Sequence, residues 1–192
     1  MGNEIKDFFD KMAPEWDVMC KHDLLRIERI LLLSRIDEGA RVLDVACGTG
    51  VLTPALLDLG AGEILGVDIS DEMIKVAKSK YDHDAVRFEA TDFMDIEEED
   101  FDVAIVYNAY PHFLDKKSLV AKLYNVLKPG GRFVVAHSDS KERINGCHHK
   151  LDSKISDHLL AVEHEANHFM KSFEIDTMID APDLYVLSGT RR

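Results

Sequence analysis

The stretch that decides the fold is Val42-Leu-Asp-Val-Ala-Cys-Gly-Thr-Gly50, an apolar run that ends in a glycine-rich turn. The β-branched residues of Arg41–Ala46 predict a buried strand. Gly48 and Gly50 allow a sharp turn into a following helix and leave room for a ligand to approach the main chain. Asp44 stands just inside the predicted strand. The stretch therefore predicts a ligand site at the end of this strand.

The remainder of the chain alternates strand and helix patterns. Further strands are predicted at Glu63–Asp68, Ala85–Ala90, Phe101–Tyr107 and Arg132–His137. Phe173–Asp180 and Leu184–Ser188 flank a Pro-Asp turn and predict a closing hairpin. The pattern predicts an α/β fold with a Rossmann-like, doubly wound, seven-stranded sheet. That sheet is mostly parallel, with one antiparallel strand in the C-terminal hairpin.

The chain has 192 residues, of which 46% are hydrophobic, and this predicts a single domain over residues 1–192. Residues 1–36 are predicted as cap or lid helices, with helical spacing over 19–35. Residues 37–137 are predicted as a cofactor-binding core. The polar stretch 138–158 is predicted as a long loop or substrate lid. Residues 159–192 are predicted as a helix and the hairpin, with that helix starting near Ile155 and ending near Lys171.

Composition excludes several classes of partner. Acidic side chains outnumber basic ones by 36 to 23, which gives a net charge of −13 and argues against a nucleic-acid partner. No apolar stretch approaches the roughly 20 residues needed to cross a bilayer, so no membrane partner is predicted. The 3 cysteines are odd in number and widely spaced, which argues against a disulfide framework. A cytoplasmic protein is therefore predicted.

Acidic residues end several of the predicted strands. Asp68 ends the second strand, where a carboxylate can accept hydrogen bonds from both ribose hydroxyls. However, Leu52–Thr53 stands where a dinucleotide fingerprint has its third glycine, and Asp44 is a poor neighbour for a pyrophosphate. Asp92 ends the third strand and offers an acceptor for an exocyclic amine. The set favours a nucleoside that carries a cationic amino-acid tail.

At these positions the sequence resembles the class I methyltransferases that use S-adenosylmethionine. The matching segments, in chain order, are Val42–Gly50, Gly66–Ser70, Thr91–Phe93, Leu127–Phe133 and Tyr185–Gly189. Together they cover roughly residues 37–190. In addition, Phe8–Asp17 resembles the cap of small-molecule methyltransferases of the quinone-biosynthesis type, which makes Phe9 and Trp16 candidate lid residues.

The resemblance implies a set of cofactor-binding residues. Asp44 and the backbone of Gly48–Gly50 would face the methionine part of S-adenosylmethionine, and Asp68 would bind its ribose. The adenine would lie near Ile69, Met73, Asp92 and Phe93, and the methyl group near Asn108 and Ala109. The full predicted set is Asp44, Ala46, Cys47, Gly48, Gly50, Asp68, Ile69, Met73, Asp92, Phe93, Asn108, Ala109 and Trp16. No chemistry is assigned to the Cys47 thiol itself.

Candidates for acceptor chemistry come from Tyr107–Phe113 and from the end of the fifth strand. His112 and His137 titrate near neutrality and are candidate general bases, and Tyr110 is a candidate positioning residue. Each of the three also fits a purely structural role. Two further histidine patterns remain. His164-Glu-Ala-Asn-His168 lacks the fold context and third ligand of a zinc protease, and His137 with Cys147-His-His149 suits either a surface loop or a substrate or metal site under the lid. No metal is predicted, and whether either group binds one stays open.

The predicted function is transfer of a methyl group from S-adenosylmethionine to a small-molecule acceptor by in-line displacement. Two alternatives stay open. One is a non-catalytic adaptor that keeps the fold and binds the nucleoside. The other is an NAD-dependent oxidoreductase, which would need a phosphate-compatible loop in place of Asp44 and Leu52–Thr53. The acceptor and the oligomeric state do not follow from the sequence.

Overall fold

The predicted strands form one sheet in the computed structural model, which describes residues 2–149 and 151–192. In chain order the strands are β1 (Arg41–Val45), β2 (Glu63–Asp68), β3 (Val86–Ala90), β4 (Phe101–Tyr107), β5 (Leu127–His137), β6 (Phe173–Ala181) and β7 (Leu184–Arg191). Their order across the sheet is β3-β2-β1-β4-β5-β7-β6. β7 is antiparallel to both neighbours, and the other adjacent pairs are parallel. The predicted fold class is confirmed.

Helices flank the sheet and form the N-terminal cap. They are α1 (Gly2–Met12), α2 (Trp16–Met19), α3 (Leu24–Ser34), α4 (Thr53–Asp58), α5 (Asp71–Lys80), α6 (Lys116–Val126), α7 (Lys141–His148) and α8 (Val162–Phe169). Ser70 begins α5, as predicted, by accepting a hydrogen bond from the Met73 backbone N–H. Among the residues described, no helix is long and apolar enough to cross a bilayer.

Side-chain alternation along β4 divides the core into two layers. Val103 and Ile105 pack in the layer that contains the buried residues of α3 and α4. Ala104 and Val106 point to the opposite face, where they join the buried residues of α6 and α8. Because both faces of this central strand are covered, it reads as a continuous apolar run in the sequence. The sheet therefore exposes its strand ends, rather than its faces, to a ligand.

Two predictions of local structure need correction. The stretch 138–158 is not a plain loop, because it contains α7, whose N-cap Ser140 accepts from the Arg143 N–H. The last helix begins at Val162 rather than near Ile155. Long-range bonds hold the preceding backbone in a non-helical course: the Asp157 N–H donates to Pro111 O and the Leu159 N–H to Asn145 Oδ1. Helical spacing could not reveal these competing bonds.

An ion pair between a buried arginine and a partly exposed aspartate ties together the C-terminal part of the sheet. Arg132 on β5 is only 6% exposed, and its guanidinium donates to both carboxylate oxygens of Asp176 on β6 at 2.7 and 2.8 Å. The Ser188 hydroxyl on β7 accepts from the Arg132 guanidinium and donates to the Asp176 carboxylate, each at 3.3 Å. The guanidinium holds the pKa of Asp176 below its ordinary value despite partial burial. The pair therefore stabilises the hairpin against β5.

We predict that Asp176→Ala lowers the free energy of unfolding by about 2 kcal/mol, because it leaves a buried guanidinium without its acceptor. Urea denaturation at pH 7 measures this. The control is Asp183→Ala, which removes the carboxylate from the exposed Arg29–Asp183 pair and should hardly move the midpoint. Equal effects of the two substitutions would contradict the assignment.

Candidate active site

A cavity of about 300 Å³ lies at the carboxyl ends of β1, β2 and β4. This is the edge of a parallel sheet where ligands bind in doubly wound folds. All but one of the predicted cofactor-binding residues line it, namely Asp44, Ala46, Cys47, Gly48, Asp68, Ile69, Met73, Asp92, Phe93, Asn108, Ala109 and Trp16. The structure thus brings the predicted set to one place.

Two buried carboxylates dominate the electrostatics of this cavity. Asp44 is 1% exposed, and its Oδ2 has no hydrogen-bond partner among the residues described. Burial, together with the nearby charge of Asp68, raises the pKa of Asp44 to about 8. Burial also raises the pKa of Asp68 to about 6, even though it accepts from the Gly48 N–H at 2.9 Å and the Ser70 N–H at 2.8 Å.

The side chains that line the cavity suit S-adenosylmethionine better than they suit a dinucleotide. Within the described part of the chain, neither Lys nor Arg lines the cavity. The Asp44 oxygen that has no partner among the described residues suits an amino group, whereas a pyrophosphate in this cavity would find two acidic side chains and no basic one to balance its charge. Gly48 has φ +54° and only the Trp16 indole nitrogen within 4 Å of the position of an added Cβ, so its main chain is open to a ligand.

Gly50 is the predicted cofactor residue that does not line the cavity. Its φ is +80°, and an added Cβ would lie 3.0 Å from the Tyr81 ring and 3.1 Å from the Phe88 ring. Glycine is therefore required here for the turn and for packing against β3 and the end of α5. The motif spacing identified the turn but did not separate its packing glycine from its ligand-facing glycine.

The N-terminal cap closes over the cavity and is held by two aspartates. Asp10 accepts from the Ser70 hydroxyl at 2.6 Å and from the Glu72 N–H at 3.2 Å, at the start of α5. Asp17 accepts from the Thr49 hydroxyl at 2.5 Å and from Lys80 at 2.8 Å. These contacts join the cap to the loop after β1 and to α5.

The candidate lid residues Phe9 and Trp16 both line the cavity. The Phe9 ring lies edge-on against Trp16, with centroids 5.7 Å apart, and against His112, with centroids 5.0 Å apart. The cap therefore supplies an apolar, aromatic wall. This wall faces the candidate acceptor residues on the loop after β4.

Of the three candidate catalytic residues, only His112 lines the cavity. Its Nδ1 lies 2.8 Å from the Ile155 carbonyl oxygen, and burial lowers its pKa to about 4. The ring therefore stays uncharged at neutral pH. The short 3₁₀ turn Tyr110–His112 holds it at the end of β4.

Tyr110 and His137 lie outside the cavity wall. Tyr110 is fully buried and donates its hydroxyl proton to Glu165 Oε2 on α8 at 2.7 Å. His137 is fully buried, packs edge-on against Tyr185, and has no hydrogen-bond partner among the described residues for either ring nitrogen. Burial lowers its pKa to about 3. Neither side chain is positioned to contact an acceptor in this cavity.

Sequence reasoning missed several cavity residues. The most informative is His22, which lies between α2 and α3 and whose Nδ1 is 3.3 Å from the Oη of Tyr107, the last residue of β4. Ile5, Leu114, Asp115 and Ser118 were also missed and line the cavity. Tyr107 and Phe113, which line it too, bound the segment that the sequence proposed for acceptor chemistry. His22 carries no local signal, because only the tertiary fold brings the cap loop to the strand ends.

The histidine patterns do not assemble a metal site within residues 2–149 and 151–192. No group of three or more His, Cys, Asp or Glu side chains there is arranged to hold a metal ion. His164 and His168 are exposed on α8, while Glu165 between them is buried and accepts from Tyr110 and from the Leu160 N–H. The spacing of this motif thus reflects an amphipathic helix.

Comparison with known proteins agrees with this site. A family model described as a methyltransferase domain matches residues 36–181. The demethylmenaquinone methyltransferase of Symbiobacterium thermophilum is 34% identical over 146 residues, which cover 68% of this chain and 57% of that protein. The chain spans about half of the length of the curated relatives that it matches.

Solved structures share the fold. A methyltransferase of Haloferax volcanii, in complex with the Trm112 methyltransferase activator, superposes with a TM-score of 0.84 at 21% identity and covers 97% of both chains. The N-methyltransferase NodS of Bradyrhizobium japonicum, in complex with S-adenosyl-L-homocysteine, superposes with a TM-score of 0.73 at 15% identity, covering 97% of this chain and 98% of that one.

The chain belongs to the methyltransferase-domain family, within the class I fold that uses S-adenosylmethionine. The predictions of this family and of its cofactor are confirmed. The individual binding and catalytic roles of the cavity residues are taken up as proposals below.

We predict that Asp44→Asn raises the thermal midpoint of the cofactor-free protein more at pH 8 than at pH 5. An ordinary aspartate ionises near pH 4, whereas folded Asp44 keeps its proton to about pH 8. The unfolded chain therefore binds fewer protons over this window, and the wild type loses stability as the pH rises.

Scanning calorimetry at both pH values measures this difference. Val51→Ala, which changes an uncharged cavity residue, should shift the midpoint equally at the two pH values. A gain for Asp44→Asn that does not depend on pH would contradict the raised pKa.

Proposed function

We propose that this chain transfers a methyl group from S-adenosylmethionine to a small-molecule acceptor. The observation that supports this most directly is the buried Asp44 carboxyl, whose Oδ2 has no partner in the described part of the chain, in an otherwise largely apolar cavity at the carboxyl edge of the sheet. When bound, S-adenosylmethionine supplies a methyl group that its sulfonium leaving group already activates. The protein must then bind the cofactor and the acceptor, orient them relative to each other, and exclude water from between them.

Each acidic residue has a distinct proposed role. Asp44, with the open main chain of Gly48, holds the amino-acid end of the cofactor. Asp68 accepts hydrogen bonds from the ribose hydroxyls, and its two existing backbone bonds fix the carboxylate for that task. Asp92 accepts from the adenine amine, in addition to the hydrogen bond at 2.9 Å that it already accepts from the Met94 N–H. Ile69, Met73 and Phe93 line the adenine pocket.

The rate enhancement is proposed to come mainly from holding donor and acceptor together in a dry site. A methyl transfer from a sulfonium is an in-line displacement, so alignment and desolvation lower its barrier. Asn108 is well suited to line the reaction path, because its backbone is held at φ +53° and its amide bonds with Ser138 at 3.0 and 3.2 Å. A rigid turn of this kind preserves the alignment.

A small acceptor is favoured over a macromolecule by the enclosure of the site. Phe9 and Trp16 cover the cavity from the cap, and the formal net charge of −13 disfavours a polyanion. The Haloferax neighbour, solved with an activator protein, raises a protein partner as a second arrangement. Exposed apolar residues of the cap region, with Val18 at 75% and Leu24 and Leu25 at 69% exposure, would be the surface for it.

We predict that Asp68→Ala weakens the binding of S-adenosylhomocysteine by about 1–3 kcal/mol, the cost of leaving buried hydrogen-bonding groups unsatisfied. Titration calorimetry measures the affinity, and NAD should produce no heat of binding with either protein. Asp58→Ala, which removes an exposed aspartate at the end of α4, is the matched control.

Unchanged affinity for Asp68→Ala would refute the ribose assignment. Binding of NAD in preference to S-adenosylhomocysteine would favour the oxidoreductase alternative. Tight binding of S-adenosylhomocysteine without methyl transfer to any compound in a broad metabolite screen would favour the non-catalytic adaptor.

A further inference from the structure

The hydrogen bond of His112 fixes which of its ring nitrogens carries the proton. Its Nδ1 lies 2.8 Å from the carbonyl oxygen of Ile155. A carbonyl oxygen only accepts, so Nδ1 must donate, and the neutral ring then has its lone pair on Nε2. No described residue forms a hydrogen bond with Nε2, although the ring lines the cavity. At this ring the site therefore presents an uncharged acceptor atom.

The position of this ring is fixed from several sides. Phe9 packs edge-on against it, and the His148 ring lies 5.0 Å away with its own Nδ1 2.9 Å from the Ser156 hydroxyl. Lys116 donates to the carbonyl oxygens of Tyr110 and Phe113 at 2.8 Å each, which fastens the turn that carries His112. The imidazole is thus preorganised rather than free to seek a partner.

The surroundings of Nε2 determine what can bind there. Ile5, Phe9, Phe113 and Leu114 provide apolar and aromatic walls. The acidic side chains on the cavity wall are Asp44, Asp68, Asp92 and Asp115, and no Lys or Arg of the described chain joins them. An anionic acceptor would find no basic side chain on this wall to pair with as it is desolvated, so an uncharged acceptor is favoured.

We propose that the acceptor is an uncharged aromatic molecule whose reacting group is a hydroxyl, and that this hydroxyl donates its hydrogen bond to Nε2 of His112. This inference rests on the proposed function and deepens it. It makes His112 both the residue that orients the acceptor and the residue that receives its proton. It also explains why the ring is held in a single tautomer beside an aromatic wall.

The reaction balances with these groups alone. The hydroxyl oxygen forms a bond to the methyl carbon, the methyl–sulfur bond breaks, and the sulfur keeps that electron pair. The hydroxyl proton passes to Nε2, which leaves a methyl ether and an imidazolium. Burial lowers the pKa of His112 to about 4, so a free hydroxyl does not protonate it beforehand. The proton moves as the new oxygen–carbon bond makes it acidic.

The test uses four ring-matched probes, which are titrated into the protein saturated with S-adenosylhomocysteine. They are 2-naphthol, 2-methoxynaphthalene, 2-naphthoate and 2-naphthylmethylamine. We expect 2-naphthol to bind at least tenfold more tightly than the other three, because it alone offers an uncharged hydroxyl to Nε2. With methyl-labelled S-adenosylmethionine, 2-naphthol should yield labelled 2-methoxynaphthalene.

His112→Phe keeps an aromatic ring but removes the lone pair, so it should abolish the preference for 2-naphthol over its methyl ether. The matched control is His149→Phe, since His149 is exposed and does not line the cavity. This control should keep the preference. Far-UV circular dichroism establishes that both variants are folded.

Three results would overturn the inference: no binding of 2-naphthol, equal binding of the methyl ether, or preferential binding of the naphthoate or the amine. Each would do so while the complex with S-adenosylhomocysteine still forms, so the proposed function would survive. Failure of S-adenosylhomocysteine itself to bind would instead refute the proposed function.

Discussion

A buried carboxyl group whose Oδ2 accepts no hydrogen bond from any described residue is the constraint on which this site depends. Asp44 lies in β1, between β2 and β4, where it is opposite Gly66 and Ile105. Desolvating it costs the folded protein free energy, and nearby Asp68 increases that cost. Such a group is stable only if the rest of the fold holds it in place, and it is useful only if a ligand supplies the missing hydrogen bond. We therefore propose that the cavity is preorganised for an amino-bearing nucleoside.

The sheet and the N-terminal cap place this costly buried group within a ligand-sized cavity. Parallel pairing of β1 with β2 and β4 brings Asp44, Asp68 and Asn108 to one edge of the sheet. The cap then encloses that edge, held by Asp10 and Asp17 rather than by apolar contact alone. Enclosure strengthens every electrostatic interaction inside the cavity, because water no longer screens the carboxylates. The strand order, the cap contacts and the acidic side chains thus all shape the same cavity at the carboxyl edge of the sheet.

The sequence predicted the sheet and the strand-end acids because both follow from local patterns. Asp44 stands one residue before the end of β1 and Asp68 is the last residue of β2, so both lie at the carboxyl edge. The same rule failed for His137, which ends β5 but packs against Tyr185 and does not line the cavity. Tyr110 likewise turns to Glu165 on α8. Strand ends predict which residues are near a site, whereas the face and the partner depend on long-range packing, as the missed His22 also illustrates.

The most direct test of the account is the number of protons released when S-adenosylhomocysteine binds. Titration calorimetry at pH 7 in buffers of different ionisation enthalpy measures it. If the amino group of the ligand pairs with Asp44, whose pKa burial raises to about 8, binding should expel a large fraction of one proton, and Asp44→Asn should remove most of that release. Binding heats that are identical in all buffers, or a release unchanged in Asp44→Asn, would contradict the account.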